Sequence, residues 1–287
     1  MADIVAYYNK FNEDKRLKSR HGIVEYTVTR HFIDEVLASG ASGGSFGSSA
    51  SETSCESVNS GHAEGTFRIA DIGAGTGAYS IPLAKKGYEV TAVELVNYNL
   101  GILKKHADEN GLSNLKAISG DARKLKKLPS DYYDLTLLLG PMYHLHSIED
   151  KVSSLKEALR ITKPSGVVFV GYVMADYAVV KYGFMEGNIL SSLSSGALTK
   201  DYGVISNEDE LYDYVRLNDI DVINSMAGAE RINIFAPDGP SDYIRNYLNE
   251  MPEEAFNAFI DYQIKNATRG DLLGASSHTV DIVRKIQ

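Results

Sequence analysis

The chain has 287 residues, of which 44% are hydrophobic and 23% charged, so it is long enough to bury the core of one large or two ordinary domains. Its formal net charge of -9 disfavours a nucleic-acid partner, because an acidic surface repels a phosphate backbone. The single cysteine, Cys55, excludes an intrachain disulfide framework, and without a secretory or membrane-spanning pattern we expect a cytoplasmic protein with no membrane contact.

The first 66 residues differ in composition from the rest. Residues 1–38 join a polar start to an amphipathic helix, and we predict that they form a helical lid. The alternative is that the tyrosines of this segment dock a structural helix against a sheet. Residues 39–66 are rich in glycine and serine and have little to bury, which predicts a flexible loop.

From residue 67 onward, short β-branched runs alternate with amphipathic helical runs, which predicts βαβ units and a doubly wound, mostly parallel sheet. Residues 67–287 are predicted to be one domain with helical insertions near 174–205 and 237–276. Helices are predicted at about 79–86, 97–111 (with Asn97 as the cap), 149–160, 242–249 and 253–265. The strands are predicted at FRIADI (67–72), YEVTAVEL (88–95), LKAIS (115–119), YYDLTLLLG (132–140), GVVFVGYV (166–173), RINIF (231–235) and HTVDIVRK (278–285).

Three glycines at alternate positions in DIGAGTG (71–77) separate the first strand from the first helix of this pattern. Glycine has no Cβ and tolerates positive φ, so a ligand can approach the backbone here. Gly73 and Gly75 loosely match the dinucleotide fingerprint, which leaves a nicotinamide cofactor open. Asp71 would repel a pyrophosphate but suits an ammonium group. Glu94, about 20 residues further on, suits two ribose hydroxyls with either cofactor.

The whole run DIGAGTG resembles motif I of class I S-adenosylmethionine (SAM) dependent methyltransferases, and further motifs follow in that family's order. AVELV (92–96) stands where the family binds ribose, and GDARKL (120–125) resembles the segment that contacts adenine. LLLGPMYHL (137–145) resembles the loop after the fourth strand, and TKPSG (162–166) differs from the family's L-K-P-G-G by Ser165. The similarity is greatest to the small-molecule branch, which includes the ubiquinone/menaquinone-type enzymes.

The resemblance implies a Rossmann-like α/β fold with a seven-stranded sheet and an antiparallel last strand. It also implies SAM as the cofactor, S-adenosylhomocysteine (SAH) as its product, and a small-molecule acceptor methylated on O, N, S or C. The residues that it assigns to the cofactor are Asp71, Gly73, Ala74, Gly75, Gly77, Glu94, Leu95, Asp121, Ala122 and Leu139.

Methyl transfer is an in-line displacement in which positioning supplies most of the catalysis, and a base helps when the acceptor must lose a proton. His144 and Tyr143 lie just beyond the fourth strand, where they act on the acceptor or simply wall the cofactor site. His278, Tyr8 and Arg16 are predicted to face the acceptor or to belong to the lid. The loop LGPMYHL has no clustered carboxylates, so we predict no metal.

Three other functions remain open at this point. A methyltransferase acting on RNA, DNA or protein is disfavoured by the acidic charge and by LGPMY, which stands where amino-methylating nucleic-acid enzymes carry N/D-P-P-Y/F. An NAD-dependent oxidoreductase would use the looser glycine match, and a non-catalytic scaffold would bind SAM without transferring its methyl group. The sequence predicts neither the acceptor nor the oligomeric state.

Overall fold

The computed structural model describes residues 19–40 and 67–286. Its seven strands form one sheet: β1 (Arg68–Ile72), β2 (Glu89–Glu94), β3 (Leu115–Ser119), β4 (Tyr133–Leu138), β5 (Thr162–Val173), β6 (Ala229–Phe235) and β7 (His278–Lys285). Their order across the sheet is β3-β2-β1-β4-β5-β7-β6. The pairs from β3 to β5 are parallel, whereas β7 is antiparallel to both β5 and β6. The predicted Rossmann-like architecture, with its antiparallel last strand, is confirmed.

Helices flank this sheet and fill the insertions. They are α1 (Arg20–Ala38), α2 (Ser80–Lys85), α3 (Asn97–Glu109), α4 (Ile148–Ile161), α5 (Ala175–Ala178), α6 (Ile189–Ser195), α7 (Leu217–Ala227), α8 (Arg245–Glu250) and α9 (Glu253–Asn266). A 3₁₀ turn covers Pro141–His144, and a π-helical turn covers Val179–Met185. In the two described stretches, no helix combines the length and the apolar composition needed to cross a membrane.

The predicted elements lie close to the observed ones, with small differences at their ends. The N-cap of α3 is Val96, and its side chain makes no capping hydrogen bond, so Asn97 is the first helical residue and not the predicted cap. Strand β5 begins at Thr162, four residues before its predicted start, because the TKPSG segment continues in extended conformation. Neither difference moves a residue from one side of the sheet to the other.

Helix α1 packs into the main body of the protein. Val24 and Val28 are fully buried, and the ring of Phe32 stacks on Phe235 with the ring centroids 4.1 Å apart. The Arg20 guanidinium donates hydrogen bonds to the carbonyl oxygens of Leu248 and Met251. Each such buried apolar side chain contributes about 1.5 to 3 kcal/mol. This part of the N-terminal segment therefore docks on the core, and residues 1–18 and 41–66 lie outside the described residues.

The reversal of β7 decides which side chains meet at the functional edge. The carboxyl ends of β1, β2, β4 and β5 lie at one edge of the sheet, where open α/β sheets bind their ligands. Because β7 is antiparallel, its first residue lies at that same edge, with His278 paired to Val173 at the end of β5. Residues from the start of β7 and the ends of the parallel strands therefore surround one site.

Candidate active site

A cavity of about 240 Å³ opens at this carboxyl edge. Its wall runs from the glycine loop and the end of β2 to the start of β7. Nine of the ten residues predicted to bind cofactor line it: Asp71, Gly73, Ala74, Gly75, Glu94, Leu95, Asp121, Ala122 and Leu139. The tenth, Gly77, is not part of the wall, because a Cβ there would meet the Leu103 and Ile81 side chains at 2.4 and 2.9 Å. Gly77 serves the packing of the turn.

The glycine loop closes tightly over the end of β1. Gly73 adopts φ +76°, and a Cβ on it would lie 2.7 Å from the Pro141 ring. The backbone N–H groups of Gly73 and Ala74 donate to the carbonyl oxygen of Val93 at 2.8 and 3.1 Å. Gly75 also has a positive φ, of 56°. The loop thus presents bare backbone to the cavity, and no side chain larger than hydrogen fits at Gly73.

Glu94 ends β2 with a buried carboxylate, only 6% exposed. One oxygen, Oε2, accepts from the Gly75 N–H at 2.8 Å, and the other, Oε1, accepts from the Val96 N–H at 2.7 Å. Each carboxylate oxygen has two acceptor directions, so one oxygen can accept more than one hydrogen bond. Glu94 therefore braces the glycine loop and also offers a charged acceptor to the cavity.

Asp71 is the second buried carboxylate of this wall. It is 3% exposed, and its Oδ2 accepts from the Ser80 hydroxyl at 2.5 Å. Burial, together with the nearby charge of Glu94, raises the pKa of Asp71 to about 6, and the Ser80 hydrogen bond opposes that shift. An ammonium group of a ligand would stabilise the ionised form.

Asp121 follows β3 and is engaged by its own neighbour. Its carboxylate accepts from the backbone N–H of Arg123 at 2.9 Å and from the guanidinium at 2.7 Å, and the same guanidinium reaches Asp150 at 2.8 Å. These Arg123 hydrogen bonds outweigh partial burial and lower the pKa of Asp121. Asp121 is therefore a carboxylate fixed at the cavity wall, and its contact with adenine stays a prediction.

Tyr143 and His144, in the 3₁₀ turn after β4, both line the cavity. His144 Nδ1 lies 2.9 Å from the carbonyl oxygen of Leu211, and because a carbonyl only accepts, Nδ1 carries the proton. Burial lowers the pKa of His144 to about 4, against the Leu211 hydrogen bond, so its ring is neutral at pH 7. The ring of Tyr212 packs on both side chains, with centroids 5.7 and 5.4 Å away.

An ion pair between buried Lys151 and partly buried Asp213 holds the Leu211–Asp213 segment over this turn. Lys151, 4% exposed at its side chain, contacts the Asp213 carboxylate at 2.5 Å and also donates to the carbonyl oxygen of Leu145. The backbone N–H of Asp213 donates to the carbonyl oxygen of Tyr143 at 2.8 Å. These contacts fix the Tyr143 and His144 side chains in the cavity wall.

His278 faces the cavity from the start of β7 and is supported by a residue that the sequence did not single out. Its Nδ1 lies 2.7 Å from Oδ2 of Asp238, and its backbone N–H donates to Oδ1 of the same carboxylate at 3.0 Å. The Ser276 hydroxyl donates to Oδ1 at 2.5 Å. Burial by itself would raise the pKa of Asp238, but the His278 and Ser276 contacts outweigh it and hold that pKa below its usual value.

Helix α1 adds Glu25 and Thr29 to the cavity wall. In the part of the chain that the structure describes, Glu25, Asp238 and His278 each place one potential metal-ligand atom within 4.8 Å of the others. Both oxygens of Asp238 already accept hydrogen bonds, which favours an ordered carboxylate–histidine pair as the role of these groups. The prediction of no metal stays a prediction.

The sequence pattern predicted the cavity residues at the strand ends but not those supplied by distant segments. Glu25, Thr29 and Asp238 carry no local signal, since two lie on a helix that reads as packing and one lies in the turn PDGP. The predicted lid residues Tyr8 and Arg16 lie outside the described residues.

Comparison with known proteins agrees with this architecture. The methyltransferase domain family matches residues 70–170 of the chain. A ubiquinone biosynthesis O-methyltransferase of Rickettsia felis is 25% identical over 160 residues, covering 54% of this chain and 61% of that protein. A demethylmenaquinone methyltransferase of Renibacterium salmoninarum is 32% identical over 103 residues, covering 36% of this chain and 40% of that protein. The match to these relatives thus spans less than two thirds of their length.

Two solved structures show the same fold. A SAM-dependent methyltransferase of Leishmania major has a TM-score of 0.55 at 14% identity, covering 98% of this chain and 81% of that one. A SAM-dependent methyltransferase of Methanosarcina mazei has a TM-score of 0.51 at 16% identity, covering 77% of this chain and 93% of that one. Residues 70–170 are thus similar to a methyltransferase domain, and the chain has the Rossmann-like fold of the two solved methyltransferases.

Proposed function

We propose that this chain, through its class I methyltransferase domain, transfers the methyl group of SAM to a hydroxyl of a small aromatic acceptor. The observation that carries the proposal is the pair of buried carboxylates, Asp71 and Glu94, on either side of a glycine loop that exposes its backbone to the cavity. Asp71 suits the ammonium of the cofactor's amino acid, and Glu94 suits the two ribose hydroxyls. A pyrophosphate would meet both negative charges, which disfavours a nicotinamide cofactor.

The aromatic acceptor is supported by an aromatic wall of the cavity and by the relatives. Tyr143 and His144 line the cavity, with the Tyr212 ring packed on both, and such a wall suits a flat ring. The Rickettsia felis relative is named as an O-methyltransferase of ubiquinone biosynthesis, and the Renibacterium relative as a demethylmenaquinone methyltransferase. Arg123 is held by two carboxylates in the cavity wall, so an anionic acceptor finds little there to neutralise it.

The cofactor supplies an electrophilic methyl group on a sulfonium, and the protein's own residues do the positioning. Glu94 and the glycine loop hold the nucleoside end, and Asp71 holds the amino-acid end. The aromatic wall then directs the acceptor oxygen in line with the methyl group, at a separation of about 3 Å. Helix α1 contributes Glu25 and Thr29 to the cavity wall, and the Leu211 carbonyl oxygen holds the His144 ring in it.

We also propose that residues 1–18, which precede α1, act as a lid over this cavity. Helix α1, which follows this segment in the chain, is anchored by Phe32 and Arg20 and contributes Glu25 to the cavity wall. Deleting residues 1–18, which spares the Ser19 cap, is expected to leave a folded protein with most turnover lost. A deletion variant with normal turnover contradicts the lid, and one that does not fold favours a purely structural segment.

Calorimetry tests cofactor choice directly. SAH is expected to bind the full chain and NAD is not, and SAH at 100 times its Kd is expected to stabilise the fold by roughly 2.7 kcal/mol. Labelled SAM with a panel of phenols and catechols then tests transfer. Binding of NAD in preference to SAH refutes the methyltransferase proposal, and SAH binding with methylation of only non-hydroxyl acceptors refutes the acceptor class alone.

A further inference from the structure

We propose that His278, oriented by Asp238, is the general base that takes the proton from the acceptor hydroxyl. This inference rests on the proposed transfer to an aromatic hydroxyl. It assigns a catalytic role to the residue at the start of β7 and a positioning role to a carboxylate 40 positions earlier in the chain.

The His278 ring is held by a buried carboxylate, Asp238, which is itself fixed by hydrogen bonds. Asp238 is 4% exposed and receives three hydrogen bonds, from the Ser276 hydroxyl, the His278 backbone N–H and the His278 ring. Two of these donors bind Oδ1, which leaves Oδ2 directed at the ring. The carboxylate therefore has a single orientation, and the imidazole is held by its own backbone as well as by its side chain.

This arrangement fixes the tautomer of the ring. An ionised carboxylate only accepts hydrogen bonds, so Nδ1 of His278 carries the proton and donates it to Asp238. In the neutral imidazole Nε2 then carries the lone pair, and the ring lines the cavity beside Tyr143, with the two ring centroids 6.2 Å apart. A lone pair at that position is what a general base requires.

Proton transfer to His278 accompanies methyl transfer to the acceptor oxygen. The acceptor O–H bond breaks as its proton moves to Nε2 of His278, and the oxygen forms a bond to the methyl carbon as the S–CH₃ bond breaks. The electron pair of that bond stays on sulfur as the neutral thioether SAH. The imidazolium that forms is stabilised by the Asp238 carboxylate, and it later loses its proton to water.

His144 is the alternative base in the same cavity. It also has a protonated Nδ1, but the partner is the neutral carbonyl oxygen of Leu211, which stabilises an imidazolium less than a carboxylate does. Its pKa of about 4 lies far below the operating pH. His144 is thus the weaker proton acceptor, and its ring fits the role of an aromatic wall.

The variant Asp238→Asn tests the orientation with almost no change in shape. Ser276 and the His278 N–H both donate to the Oδ1 position, so they keep the amide oxygen there and place the NH₂ group against the ring. Nδ1 must then accept, and the ring proton moves to Nε2, where it blocks the base. Long-range ¹H–¹⁵N spectra of the full chain are expected to show Nδ1–H for the wild type and Nε2–H for the variant.

Kinetics with catechol and 4-nitrocatechol test the base itself, because the nitro compound ionises without help. Asp238→Asn and His278→Gln are each expected to lower kcat for catechol roughly 100-fold, the usual size of a general-base effect. We expect the loss for 4-nitrocatechol to be much smaller and the SAH affinity to be unchanged. His31→Gln, a change at an exposed position of α1, is the control and leaves every value at wild type.

Several results overturn the inference. A wild-type spectrum that places the His278 proton on Nε2 overturns it, even if every variant fails to fold. Equal losses for the two catechols show a packing role, and a catechol-selective loss in His144→Gln assigns the base to His144. A wild type that binds SAH but methylates no phenol or catechol of the panel removes the hydroxyl acceptor and the base with it, whereas failure to bind SAH refutes the proposed function itself.

Discussion

The raised pKa of Asp71 predicts that cofactor binding weakens in mild acid. In the protein without ligand, burial and the charge of Glu94 hold this pKa at about 6. An ammonium partner requires the ionised form, so protonation competes with binding below that pH. With a pKa of about 6 in the free protein, the apparent affinity for SAH falls about tenfold between pH 7 and pH 5. At pH 6, binding releases about half a proton.

The stability of the ligand-free protein and its affinity for SAH respond to pH in opposite directions. A carboxyl whose folded pKa lies above its ordinary value binds more protons in the folded state, so the ligand-free protein gains stability as the pH falls from about 6 toward 4. At pH 7 the ionised Asp71 costs the fold roughly 3 kcal/mol, at 1.36 kcal/mol for each unit of pKa. Asp71→Asn is therefore expected to raise the Tm of the ligand-free protein while it weakens SAH binding.

Isothermal calorimetry at pH 5, 6 and 7, in buffers of different ionisation enthalpy, measures the affinity and the proton release together. Asp71→Asn removes both the proton release and the pH slope, and the exposed Asp108→Asn on α3 leaves them unchanged. The reasoning is refuted if the wild type binds SAH equally at the three pH values. It is also refuted if Asp71→Asn keeps the wild-type slope.

Three further changes test the cavity wall. Glu94→Ala removes a charged acceptor and is expected to weaken SAH binding at least tenfold, because a charge-assisted hydrogen bond contributes roughly 1.5 to 3 kcal/mol. The control Glu89→Ala, at the exposed start of β2, is expected to leave SAH binding unchanged. Unchanged calorimetric affinity in folded Glu94→Ala contradicts the ribose assignment. Gly73→Ala is expected to abolish SAH binding, since the new Cβ strains a positive φ and meets a proline ring; normal binding shows that the loop has room to move. Lys151→Met leaves the partly buried Asp213 carboxylate unpaired and is expected to lower the free energy of unfolding by about 3 kcal/mol; a fall below 1 kcal/mol in denaturant melts argues that water solvates the carboxylate.

The cofactor half of the site was predictable because its residues are close in the sequence to the strands that carry them. Asp71 lies in β1, Gly73 follows that strand directly and Glu94 ends the next strand, so a parallel βαβ unit brings them together without further information. Asp121 was placed by the same rule at the end of β3. Its pairing with Arg123 depends on side-chain conformations, which the spacing of acids and glycines does not specify.

The acceptor half was harder because its residues converge from segments far apart in the chain. Glu25 lies on a helix whose hydrophobic stripe predicts packing, and only the docking of α1 brings it to the cavity. Asp238 stands in a proline- and glycine-containing turn, where an aspartate is ordinary. Its role depends on Ser276 and His278, which are 38 and 40 positions away. No local pattern predicts a contact at that separation.

The sheet topology explains why the proposed base is supplied from the end of the chain. The carboxyl ends of the parallel strands carry the proposed cofactor site, and the loops after them form the glycine turn, the proposed ribose site and the aromatic wall. Only an antiparallel strand delivers its first residue to the same edge, and β7 does so next to β5. The long segment between β6 and β7 can then supply Asp238 and Ser276 without disturbing the cofactor end. Changes in that segment are therefore expected to alter acceptor chemistry while SAH affinity stays constant.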